Sequence, residues 1–119
     1  MATLVKTETI KIDQIPAYFT VSKDNYSIFA SIESGFVGSY FEYGIPKTYW
    51  TMDLERVHAT RDVWELVASK TGYVSYDSPS HRQFDNIGQP GSLMRVVIKL
   101  YSDSAKTKSV GIKSIQFVR

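Results

Sequence analysis

The chain has no cysteine among its 119 residues. That excludes structural disulfides, thiolate metal sites and thiol catalysis, and gives no support for an oxidising compartment. Long apolar runs are missing too: nothing approaches the roughly 18 apolar residues that a membrane-spanning helix needs. The opening Met1-Ala2-Thr3-Leu4-Val5-Lys6 has no signal-peptide core. A reducing, cytosolic compartment is the expectation. An excess of charge of one sign is lacking as well. Fourteen Lys and Arg against twelve Asp and Glu leave a net charge of +2, so charge alone does not force attraction to duplex DNA. With no internal repeat, low-complexity tract or linker, a single domain over residues 1–119, without a separate tail, is expected.

Catalytic motifs are equally scarce. There is no G-x-S-x-G, no phosphate loop and no dinucleotide glycine fingerprint. The two histidines, His58 and His81, have no metal-ligand spacing around them. Glu55, His58, Arg61, His81 and Arg82 could be drawn as an acid–base nuclease, because two histidines and a carboxylate are enough for general acid–base cleavage. The same residue types are common on any protein surface, so no enzyme, metal or cofactor is expected.

What the chain does have is aromatic side chains: eight Tyr, six Phe and two Trp. Tyrosine tolerates water at its phenolic end, which points to rings at a surface. The most informative stretch is Leu93 to Tyr101. Strict alternation puts Met94, Val96, Ile98 and Leu100 on one face of a strand and Arg95, Val97, Lys99 and Tyr101 on the other. Two cations and a ring on one open face can neutralise phosphates and stack a base, the chemistry that single-stranded nucleic acid requires. Further basic and aromatic residues interleave elsewhere. Lys47, Tyr49 and Trp50 follow Gly44-Ile45-Pro46, Arg82 and Phe84 lie in a long polar stretch, and Lys106 and Lys108 lie in a turn. Stacking contributes about 1–3 kcal/mol per base and tolerates any sequence, so a few rings and cations suffice.

The order of elements reads as mainly β. Residues 4–12 form an imperfectly alternating terminal strand, followed by a break at Pro16 and a hairpin of residues 17–21 and 26–32. Glycines 35, 38 and 44 punctuate an aromatic stretch, where a strand of a small barrel would turn a corner. A strand follows from Tyr49 to His58. Asp62-Val63-Trp64-Glu65 fits a capping box, and Val63, Leu66, Val67 and Lys70 fit a helical stripe closed by Gly72, which predicts one short helix. Tyr73 to Asp77 reads as a short strand, and Ser78 to Ser92 as a long loop suited to function. The chain closes with the hairpin of residues 93–101 and 110–118, whose second strand slips phase near Lys113 and Ile115. A five-stranded OB-like barrel with a helix between its third and fourth strands is the expected fold, with a β-sandwich or an α+β roll as the alternatives.

In length, aromatic content and element order, the whole chain resembles the small single-stranded-DNA-binding proteins of tailed lactococcal phages. The resemblance is carried by Ala17-Tyr18-Phe19, Tyr49-Trp50 and Leu93 to Tyr101, with the Lys106/Lys108 hairpin after it. It implies a non-enzymatic protein that coats single-stranded DNA in phage replication and recombination, in the cytoplasm of the infected host. Bacterial relatives of that family recruit replication and recombination proteins through an acidic tip. This sequence ends Ile115-Gln116-Phe117-Val118-Arg119, which puts such recruitment in doubt. Coating a long strand also favours a homodimer or tetramer, and the apolar residues between Leu4 and Ile12 are the expected contact. The other reading is a β-rich phage module that inhibits a host enzyme, since Tyr, Trp and Arg also anchor protein interfaces.

Overall fold

A computed structural model describes residues 2–35, 44–57, 60–85 and 91–119. Eight strands are formed: β1 (Thr3–Ile12), β2 (Ile15–Lys23), β3 (Ser27–Ser34), β4 (Thr48–Val57), β5 (Trp64–Val74), β6 (Ser80–Asp85), β7 (Leu93–Tyr101) and β8 (Ser109–Val118). They build two antiparallel four-stranded sheets, ordered β1-β2-β3-β6 and β5-β4-β7-β8. The first three strands are a simple meander. The chain then crosses to the second sheet for β4 and β5, returns to add β6 beside β3, and crosses again to add β7 beside β4. The arrangement is a β-sandwich, two sheets that bury their inner faces against each other.

Alternation explains the core. β2 points Ala17, Phe19 and Val21 inward, and β3 points Ile28, Ala30 and Ile32 against them. From the other sheet come Trp50, Met52 and Leu54 of β4 and Met94, Val96, Ile98 and Leu100 of β7. All seven of these are fully buried, as the alternation in Leu93 to Tyr101 requires. β7 lies between β4 and β8, and even its outward Val97 is only 8% exposed under its neighbours.

Two expectations fail. Among the described residues there is no helix, and the sheets are not a closed five-stranded barrel. Residues 64–74, expected to begin as a helix, form β5 and pair with β4 along its whole length. The cause of the misleading pattern is a bulge. Leu54 faces Ala68 while the next residue, Glu55, faces Leu66, so Val67 is an extra residue in the ladder. One extra residue swaps the faces before and after it and converts alternation into spacings that mimic a helix turn. The ladder then overrides a marginal helical propensity.

The expected long loop is also corrected. Ser80–Asp85 is β6, paired with β3 from Ser27 to Ile32. Residues 73 and 74 end β5 and do not start a separate strand. The slip in β8 lies earlier than its sequence suggests, at Val110, which is skipped between the Leu100–Gly111 and Tyr101–Ser109 pairs. Pro16 sits in β2 opposite Lys11, at the strand's second residue. Of the stretch expected to turn a corner, residues 36–43 lie outside the described residues, as does His58.

No ladder joins the two sheets among the described residues, and side chains close the seams between them. At one seam β1 lies along β8, with Ile10 close against Gly111. At the other, the buried Ser80 of β6 accepts from Trp50 Nε1 at 3.0 Å and donates to the Tyr73 carbonyl of β5. Lys70 and Arg82 also stand there, one 5.5 Å from the Phe84 ring centroid and the other 5.0 Å from that of Trp50.

Candidate nucleic-acid interface

The outward faces of β5, β4 and β7 carry a row of three tyrosines. Tyr49 pairs with Tyr73 on one side and with Tyr101 on the other, so the row crosses three adjacent strands. The Tyr49 and Tyr73 ring centroids are 6.4 Å apart with planes tilted by 56°. Lys47, just before β4, places Nζ 4.5 Å from the Tyr73 centroid and 5.5 Å from that of Tyr49. Tyr73 is 48% exposed, and Tyr49 and Tyr101 are half-buried.

Cations gather at the same end of the sheet. Lys99 lies one outward position along β7 from Tyr101, and the turn that follows Tyr101 carries Lys106 and Lys108. None of the three has a carboxylate partner among the described residues. The turn is organised by Asp103, which accepts from the backbone amides of Thr107 and Lys108 at 2.9 Å each. The Thr107 hydroxyl bonds the same carboxylate. These donors hold the Asp103 carboxyl below its ordinary range, the Thr107 hydroxyl first and the Lys108 amide next. Lys106 takes a positive φ of 58°, the left-handed conformation that reverses the chain.

Of the residues singled out in the sequence, Lys47, Tyr49, Lys99, Tyr101, Lys106 and Lys108 thus lie at one end of this sheet. Sequence reasoning missed Tyr73. The signal was its alternate spacing with Thr71 and Ser69, hidden by the expected helix.

The other four expected residues are placed differently. Trp50 is fully buried, and Phe84 is 2% exposed, so neither ring can stack a base. Both lie on the inward side of their strands, Trp50 opposite Gly72 and Phe84 opposite Ile28. Gly72 is required there, because a Cβ at that position would lie 2.6 Å from Trp50 Cζ2. Arg82 reaches over Trp50 and donates to the His81 carbonyl at 2.8 Å, away from the tyrosine row. Arg95 shares the outward face of β7 but is engaged. Its Nε donates to Glu55 Oε1 at 2.6 Å, and its guanidinium lies 4.2 Å from the Trp64 ring centroid. Asp53, also on this face, has a partner too, accepting from the Ser69 hydroxyl.

The nuclease constellation is not assembled by the described residues. Glu55 is on the outer face of one sheet, bonded to Arg95, while His81 is on the outer face of the other. The terminal Arg119 has a packing role, donating to the carbonyls of Asp24 and Asn25 in the β2–β3 turn. Among the described residues, no helix is long and apolar enough to cross a membrane. Comparison with protein-family models, curated proteins and solved structures finds no match.

Proposed function

We propose that the chain is a non-enzymatic single-stranded-DNA-binding protein whose interface is the tyrosine row of β5, β4 and β7. The observation that carries this reading is the convergence of Tyr73, Tyr49 and Tyr101 with Lys47, Lys99, Lys106 and Lys108 at one end of an open sheet face. Rings on adjacent strands offer stacking to successive bases, and the lysines around them offer counter-charge to phosphates. The sandwich removes the barrel on which the resemblance to phage DNA-binding proteins partly rested, so the reading stands on this face. The role in phage replication or recombination, in the host cytoplasm, belongs to the proposal through that resemblance alone.

Self-association is part of the same proposal, in narrower form. Ile10 and Ile12 are spent on the chain's own core, while Leu4, 61% exposed on β1, is left for contact with a second copy. A protein-binding module is the second reading. It is favoured by Leu66 and Ile112, each 60% exposed on the same outer sheet face. Anisotropy of a labelled oligothymidine titrated with the protein separates the two. Saturable binding that weakens with salt supports DNA binding, and a flat titration at low salt removes it.

A further inference from the structure

The outer face of the other sheet is built from different chemistry. Two cross-strand rows lie side by side on β2, β3 and β6: Ser22, Phe29 and Gln83 in one, Thr20, Ser31 and His81 in the next. With Ala30 and Arg82 they line a cavity of about 370 Å³, within the size range of small-molecule sites. Phe29 is half-buried and its side chain is among those that line that space. Ser22, Ser31 and His81 have no side-chain hydrogen-bond partner among the described residues. Gln83 Nε2 is committed to Ser27 and Asp85, which leaves its carbonyl oxygen available.

These rows contain no Lys, Arg, Asp or Glu. Arg82, which also lines the cavity, holds its guanidinium over the Trp50 ring and donates to the His81 carbonyl. A neutral ligand with one apolar face and a ring of hydroxyls would find a phenyl platform and both donors and acceptors around it. We infer that this cavity binds the pyranose ring of a neutral carbohydrate, stacked on Phe29 and hydrogen-bonded by Ser22, Ser31, His81 and Gln83.

The inference is independent of the tyrosine face, and amide chemical shifts of the labelled protein distinguish the two. Glucose, galactose, mannose and N-acetylglucosamine, each added at millimolar concentration, are the probes. At least one should shift the amides of Phe29, Ser31, His81 and Gln83 saturably and leave Tyr49, Tyr73 and Tyr101 unmoved. Phe29→Ala should abolish those shifts. Ser31→Ala, which removes one hydroxyl and adds no bulk, should weaken them and serves if the first variant does not fold. No saturable shift with any of the four sugars, shifts centred elsewhere, or unchanged binding by a folded Phe29→Ala would overturn the assignment. So would oligothymidine shifting this face in place of the tyrosine row.

Discussion

Arg95 and Glu55 face each other across β7 and β4 with Nε and Oε1 2.6 Å apart, and the two side chains are only 26% and 21% exposed. The guanidinium is held over Trp64, 4.2 Å from its centroid. A cation that reads in the sequence as free for phosphate is therefore neutralised by its neighbour. Lys99, on the same face of β7 and nearer the tyrosine row, is not.

This contrast separates two otherwise similar variants. Lys99→Ala should flatten the dependence of log affinity on log salt by about 0.7, the value for each phosphate that a protein neutralises on a single strand. Arg95→Ala should leave that slope unchanged and instead lower stability by about 1–2 kcal/mol, since it removes both an ion pair and a cation–π interaction. Salt-series titrations and urea melts of both variants check the pair. Equal slopes for the two would contradict the assignment of roles.

Trp50 should behave as a core residue. Its emission should be insensitive to oligothymidine, and Trp50→Ala should destabilise the domain by about 3–5 kcal/mol. Gly72→Ala, which drives a methyl into the indole, should cost about 1–3 kcal/mol by overpacking. Denaturant melts measure both, and a neutral Gly72→Ala would show that the indole has room to move.

Lowering the pH should loosen the turn that presents Lys106 and Lys108. The folded Asp103 carboxyl lies below its ordinary value, so its contribution is present above the unfolded pKa of about 3.9. It is lost as pH falls through the folded value. Asp24 and Asp85 are lowered too, by the Tyr26 backbone amide and the Ser27 hydroxyl respectively, and act with the same sign. Thermal melts at falling pH should show a smaller acid-induced drop in Tm for Asp103→Asn than for the parent. An identical drop would remove the turn's carboxylate from the explanation.

Self-association should depend on the exposed end of β1. Sedimentation at micromolar concentration is expected to show a species heavier than 13.5 kDa, reduced to that mass by Leu4→Asp. A clean monomer that still binds single strands tightly would dispose of the dimer.

The sequence was legible wherever alternation ran unbroken. Leu93 to Tyr101 gave an interior strand of its sheet, its buried face and its outward residues correctly, because each inward position is apolar and each outward one apart from Leu93 and Val97 is polar or tolerates water. The hairpin of β2 and β3 was equally plain, with Asp24 capping its turn through the amides of Tyr26 and Ser27. Reading failed at bulges. Val67 shifts β5 by one residue, so Trp64 and Leu66 face outward while Ala68 and Lys70 face inward, and no single period fits the segment. β6 was lost because its inward positions are Ser80, Arg82 and Phe84, of which only one is apolar. Its neighbours, the Trp50 indole and the Tyr73 carbonyl, supply the hydrogen bonds that make a serine acceptable there, and they are distant in the sequence. The same non-local pairing brings Tyr73 beside Tyr49, and so completes the candidate interface.

The most direct test of the tyrosine interface is the affinity of Tyr49→Ala and Tyr73→Ala for a labelled oligothymidine, measured by anisotropy at constant salt. Each substitution lies on an outward face, so each variant should remain folded by near-ultraviolet circular dichroism. Each should weaken binding by about 1–3 kcal/mol, or about 5- to 150-fold. Parent-like affinity in both folded variants would contradict the assignment of this face to single-stranded DNA.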